Sequence, residues 1–182
     1  MWVGWDGLDR QVNQTLVDLP VWSVNLARAL SWLGLAGVVV TGTVATAVAL
    51  WRVGVAWLGG WLIAVVSAGW GATQLLKLTI RRPRPPTNGD VSFARGFSFP
   101  SGHASVGVYA FGALAVVLAL TLSGRRRWWS AGLVGVVGVA IGGSRLVLGV
   151  HWLTDVVAGW ALGLVVLSMG VVVLRGVVSS RR

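Results

Sequence analysis

The chain has 182 residues, 55% of them apolar and 11% charged, with a formal net charge of +10; an ordinary soluble domain carries about 25% charged residues. With a mean hydropathy of +0.79, this composition excludes intrinsic disorder and points to a membrane protein. The lack of cysteine and glutamate excludes disulfides, thiolate nucleophiles, Cys-ligated metals and paired-Glu metal sites.

The N-terminal 20 residues have apolar Trp2, Trp5, Leu8, Val12, Leu16 and Leu19 at steps of three or four. Asp9, Arg10, Asn13, Gln14 and Asp18 fill the other face. This spacing predicts an amphipathic helix ending near Pro20 and lying in the membrane interface, with an acidic start unlike that of a signal peptide. Charge-free runs follow at 29–51, 53–76, 104–124, 128–144 and 156–174, each 17 to 24 residues long. A spanning helix needs roughly 20 residues, so the expectation is five spans. The fourth extends past Arg145 to Val150 if that arginine faces protein. A sixth span would have to come from the N-terminal segment, whose residues 21–28 extend the first run. Between the second and third runs, 81–100 holds four of the five prolines and reads as an ordered, functional loop.

Gly138-xxx-Gly142 and Gly159-xxx-Gly163 suit close helix approach and permit a homo-oligomer without demanding one. Alternation across five spans puts 77–103 and 145–155 on one side. Arg52, Arg125–Arg127 and the C-terminal arginines fall on the other, which the positive-inside tendency makes cytoplasmic. The basic residues lie between apolar runs rather than on one polar face, so anionic lipid, not nucleic acid, is the expected partner. The length suggests one domain over 1–182, with an interfacial helix at 1–20 and the chemistry in 77–155.

The only two histidines, His103 and His151, each begin an apolar run. His151 and Asp155 are four apart at a helix start, so they share a face. An Asp that accepts from one imidazole nitrogen leaves the other with its lone pair outward, the arrangement of a base or a nucleophile. A plain helix-dipole role for Asp155 is the alternative. In Pro100-Ser101-Gly102-His103, Ser101 suits an N-cap and Gly102 admits a ligand close to the backbone. The amides of that helix start would face an anion. Lys77, Arg84 and Arg145 lie at span ends on the same side as both histidines. Three such cations fit a polyanionic substrate. Arg81, Arg82 and Arg95 are expected to meet lipid headgroups or shape the loop.

Lys77 through Arg84-Pro85 fits K-x6-R-P, Pro100 to His103 fits P-S-G-H, and Ser144 to Asp155 fits S-R-x5-H-x3-D. In order and spacing these motifs resemble the type 2 phosphatidic acid phosphatase (PAP2) family. Those membrane lipid phosphatases share an active site with vanadium haloperoxidases. The N-terminal part departs from the commonest family layout of six spans. The resemblance implies an all-α integral membrane bundle of five or six transmembrane helices. It also implies hydrolysis of a lipid phosphate or diphosphate without cofactor or metal. His151 would be the nucleophile forming a phosphohistidine, Asp155 its orienter, and His103 the general acid and then base. Lys77, Arg84, Ser101, Gly102 and Arg145 would bind phosphate.

Among substrates, a polyprenyl (undecaprenyl-type) diphosphate is favoured, with phosphatidylglycerol phosphate and phosphatidic acid as alternatives. The tail would stay in the bilayer, with Trp70, Phe97, Phe99 and Trp152 near enough in sequence to touch it or to serve as interface anchors. A haloperoxidase would predict a longer, soluble chain. A non-catalytic lipid-binding scaffold is the remaining class, and the intact His103, His151 and Asp155 set argues against it.

Overall fold

A computed structural model describes residues 6–16, 19–86 and 96–180. Seven helices follow in order: α1 (Asp6–Thr15), α2 (Val21–Leu33), α3 (Ala36–Arg52), α4 (Ala56–Ile80), α5 (Gly102–Thr121), α6 (Gly124–Val147) and α7 (Leu153–Ser179). No strand occurs among the described residues. The fold is all-α, as expected. Four helices, α4 to α7, are long and apolar enough to cross a membrane, and α2 with α3 make a fifth if the bent pair counts as one span.

That bend changes the reading of the first apolar run. The run 29–51 is interrupted at Gly34 and Leu35, where α2 and α3 meet at 50°. Residues 21–28 belong to α2. The break has a packing cause: a Cβ on Gly34 would come within 2.6 Å of the His103 ring and 2.7 Å of Ile141. The chain has to pass His103 and α6 at backbone distance there. The fourth run continues past Arg145, which is only 2% exposed, but α6 ends at Val147 rather than at Val150.

Large apolar side chains cover the outside of the bundle as well as filling its core. Trp32, Trp51, Val136, Leu164, Met169 and Val172 point outward. The buried residues of α5 combine the small Ala104, Ser105, Gly107, Ala110 and Ala113 with Val106, Val108, Tyr109 and Val117. In a bilayer, apolar surface gains nothing by leaving lipid, so small residues that admit close backbone approach take the helix contacts. Helix α5 is accordingly the hub against which α4, α6 and α7 pack. Gly138 meets the Gly107 backbone, Gly142 meets Ala104 and Trp160, Gly159 meets Ser101 and Ala104, and Gly163 meets Val108. Both glycine motifs thus serve contacts within the chain. On the far side of the bundle, Trp61 Nε1 donates to Gly170 O at 2.7 Å and ties α4 to α7.

Helix α4 ends where Arg81 adopts a left-handed conformation (φ 52°), its amide donating back to Lys77 O at 3.0 Å. Pro83 and Pro85 then prevent the helix from resuming. The amphipathic N-terminal helix is present as α1, while Trp2, Trp5 and Asp18 lie outside the described residues. Its polar face does not simply meet water: Asp9 is 1% exposed.

Candidate active site

The C-terminal ends of α4 and α6 and the N-terminal ends of α5 and α7 converge at one end of the bundle. The segments 81–86 and 96–101 and the linker 148–152 cover them. All eight residues singled out in the sequence belong to these pieces, although up to 78 positions separate them.

Asp155 organises the centre and is fully buried. Its Oδ2 accepts the Trp152 amide at 2.9 Å, a bond that caps the start of α7. The same oxygen lies 3.3 Å from His151 Nδ1 and accepts a short bond from the Ser98 hydroxyl. Oδ1 accepts from Arg82 at 2.8 Å. Donor and acceptor chemistry fixes the imidazole from both ends. Arg84 approaches His151 Nε2 at 3.0 Å, and a guanidinium only donates. Nε2 must therefore be the lone-pair nitrogen, and the hydrogen sits on Nδ1, facing Asp155. Burial, together with the positive charges of Arg84 and Lys77, outweighs the stabilising Asp155 contact and lowers the His151 pKa to about 4. The ring is neutral at pH 7.

The cations are held by backbone carbonyls. Arg84 donates to Val150 O at 2.8 Å and to Gly96 O at 3.1 Å. Lys77 donates to Phe97 O at 2.7 Å. Burial lowers the Arg84 pKa, with Asp155 opposing. Lys77, Arg84 and Arg145 are close enough to repel one another, a cost that a bound polyanion relieves.

Pro100-Ser101-Gly102-His103 starts α5. The Ser101 side chain accepts from the Ala104 amide, and the Ser101 amide donates to Asp155 O at 2.9 Å. The first turns of α5 and α7 are thereby clasped together. A Cβ on Gly102 would meet only Lys77 and Thr73, at 3.8 and 3.9 Å. The His103 imidazole turns toward α2, with Nε2 3.1 Å from Ser31 O. The Ser31 hydroxyl accepts a short bond from Arg145. Beside His103 opens a largely apolar groove of about 620 Å³, lined in part by Val39, Val66, Trp70, Thr73, Val106 and Tyr109.

Arg82, Ser98, Ser31 and Asp9 join the site without having been assigned to it from the sequence. In the sequence Arg82 has a place at lipid headgroups or in shaping the loop. It is 5% exposed and joins Asp155 to Asp9, because its two guanidinium nitrogens match two buried carboxylates. The Trp152 ring packs 5.5 Å from the Arg82 guanidinium. Ser98 and Ser31 carry no sequence signal, being single serines outside any motif. Asp9 had a faint one: a chain with five acids against fifteen bases has few carboxylates to spare. Arg95 lies outside the described residues. Among the described residues, no three His, Cys, Asp or Glu side chains gather as a metal site would need.

Comparison with known families adds the decisive observation: the PAP2 superfamily model matches residues 56–177. The chain belongs to the PAP2 superfamily. The match begins with α4 and ends within α7, so the convergent ends just described are its core. Phosphatidylglycerophosphatase B of Bacillus subtilis (strain 168) is 34% identical over 110 residues, covering 59% of this chain and 54% of that protein. An undecaprenyl-diphosphatase of Sulfolobus acidocaldarius is 40% identical over 67 residues, 37% of this chain and 29% of that protein. The matched region thus spans about half or less of these curated relatives.

Two solved PAP2-like folds resemble it. The transmembrane PAP2 type phosphatidylglycerolphosphate phosphatase from Bacillus subtilis superposes with a TM-score of 0.86 at 24% identity, covering 97% of this chain and 87% of that one. Aquifex aeolicus LpxE superposes with a TM-score of 0.66 at 21% identity, covering 91% and 93%. These likenesses establish the multi-pass PAP2 fold, including the helices α1 to α3 that precede the family match.

Proposed function

We propose that this protein is an integral-membrane hydrolase that removes phosphate from a lipid phosphate or diphosphate through a phosphohistidine. The observation that carries the reading is the placement of the His151 ring between Arg84 and Asp155. Its Nε2 lone pair lies against Arg84 while Asp155 holds the proton at Nδ1.

In the first step Arg84 turns its hydrogen bond from Nε2 to a phosphate oxygen as substrate binds; the freed Nε2 lone pair attacks phosphorus, a P–N bond forms, and the P–O bond to the leaving group breaks. Asp155 offsets the positive charge that develops on the imidazole. Lys77, Arg84 and Arg145 neutralise the non-bridging oxygens, with the Gly102 and His103 amides at the turn that Ser101 sets. Phosphoryl transfer asks chiefly for such positioning and charge. His103 enters this step as the imidazolium, the form that a bound polyanion favours, and gives its Nδ1 proton to the leaving oxygen. The Ser31 carbonyl only accepts, so His103 Nε2 carries hydrogen and Nδ1 is the atom that exchanges protons with substrate. In the second step His103 takes a proton from water, which displaces His151 from phosphorus and releases phosphate. No step calls on a metal.

The apolar groove beside His103 supports a lipid rather than a soluble substrate, since a tail lying there brings its phosphate to the cations. We favour a polyprenyl diphosphate. Phosphatidylglycerol phosphate is the second reading, favoured by the longer match to a phosphatidylglycerophosphatase B. The site faces outward, because Arg52, Arg125, Arg126, Arg127 and Arg175 cluster at the other helix ends.

The test is phosphate release by detergent-purified protein in EDTA. A polyprenyl diphosphate, phosphatidylglycerol phosphate, phosphatidic acid and a water-soluble phosphomonoester are offered, with His151→Ala as the blank. Release from one lipid well above the others supports the reading and names the substrate. No release from any of them by folded protein overturns it in favour of a lipid-binding scaffold.

A further inference from the structure

Helix α1 lies outside the family match, yet it delivers a carboxylate to the centre of the site. Asp9 is 1% exposed, Arg82 5% and Asp155 0%. Arg82 donates to Asp9 Oδ2 at 2.7 Å with one nitrogen and to Asp155 Oδ1 at 2.8 Å with the other. Asp9 is further fixed by the Thr154 amide at 2.9 Å and the Thr154 hydroxyl at 2.7 Å. Thr154 also accepts from Arg82 at 2.6 Å. Charge therefore alternates along Asp9, Arg82, Asp155 and the reacting His151.

We propose that Asp9 is a positioning residue for phosphoryl transfer, acting through Arg82 to keep the negative charge of Asp155 available to His151. The proposal rests on the phosphohistidine reading above. Alone, Arg82 would draw the Asp155 charge toward Oδ1, away from the imidazole at Oδ2. Asp9 offsets Arg82 from the far side, so an imidazole that becomes positive on phosphorylation meets a carboxylate whose charge is not already consumed. At this level of burial such interactions are poorly screened.

The other groups acting on His151 are Arg84 at Nε2, Ser98 at Nδ1, Lys77 from α4 and His103 from α5. The Trp152 ring covers Arg82 at 5.5 Å. None of these supplies the negative charge that Asp9 supplies. A purely structural staple between α1 and α7 would need the hydrogen bonds of Asp9 but not its charge.

Asp9→Asn removes the charge and keeps the shape and an acceptor for the Thr154 amide, but it sets an NH2 against Arg82. The His151 midpoint, which a lost staple alone would not move, therefore separates the two. The measurements are kcat and KM on the lipid that the wild-type protein hydrolyses, and the His151 titration midpoint by nitrogen NMR in detergent. Expected are a fall in kcat of about tenfold with KM within about twofold, and a His151 midpoint below that of wild type. Asp9→Glu, which restores the charge, recovers most of both.

Unchanged kcat and midpoint in folded Asp9→Asn would overturn the proposal. So would a loss that follows thermal stability while the midpoint stays fixed. If Asp9→Asn does not fold, Asp9→Glu decides alone: a folded Asp9→Glu protein with lost activity and a displaced midpoint overturns it, and retention of both supports it. The midpoint needs no substrate. If wild type releases no phosphate from any lipid, the function reading fails, while the midpoint still reports whether Asp9 is coupled to His151.

Discussion

The carbonyl of Ser31, in the last turn of α2, lies 3.1 Å from His103 Nε2. Three residues further on, Gly34 lets the His103 ring lie against the backbone. The break between α2 and α3 is therefore what orients the proposed general acid. Gly34→Ala should leave the bundle folded but push the ring aside. Displacement of a reacting group by about 1 Å costs on the order of 100-fold. Activity assays paired with a thermal melt check this, and a Gly34→Ala protein with wild-type kcat would show that His103 is not held this way.

His151→Ala should abolish phosphate release and His103→Ala nearly so. Asp155→Asn should cost about 10⁴-fold, as loss of the orienting carboxylate does in a catalytic triad, because the wrong tautomer presents N–H to phosphorus. Acid-labile, base-stable phosphate trapped on wild type and absent from His151→Ala would identify the intermediate.

Ser98→Ala should lower kcat with little change in KM, by roughly tenfold, since the hydroxyl donates to the Asp155 oxygen that faces His151 without being positioned to bind substrate. A change confined to KM would instead make Ser98 a substrate contact.

The pH dependence has a defined sign. A histidine titrating at about 4 stays neutral well below its ordinary value of roughly 6.5. kcat/KM should then show no acid limb from His151 near 6.5, only one approaching 4. In that same window the unfolded chain binds a proton that the folded chain refuses, so stability falls as pH drops from about 6.5 toward 4. Activity profiles and denaturation midpoints over this range test both effects, and Asp155→Asn should shift the limb.

Activity should persist in EDTA, and vanadate should inhibit, because it adopts the trigonal-bipyramidal shape of a transferring phosphoryl group. Loss in EDTA with rescue by magnesium would show that the cations and helix ends do not suffice.

The proposed machinery was legible along the chain because its spacing is local. Lys77 and Arg84 flank one helix end, Ser101 to His103 form one turn, and Arg145, His151 and Asp155 span one short connection. Each piece answers to rules of capping, helical register and proline, which act over a few residues. The apolar runs likewise announced the spans, since bilayer thickness sets their length. What the tertiary structure decided is how distant pieces neutralise and orient one another. Arg82 read as one more basic loop residue until the fold set Asp9 and Asp155, 146 positions apart, on its two nitrogens. Ser31 and Ser98 became partners of Arg145 and Asp155 only through helix packing. Burial turns such contacts into requirements, because a charge withdrawn from water must find its partner wherever the chain brings one. Local pattern in the sequence carries no record of that pairing.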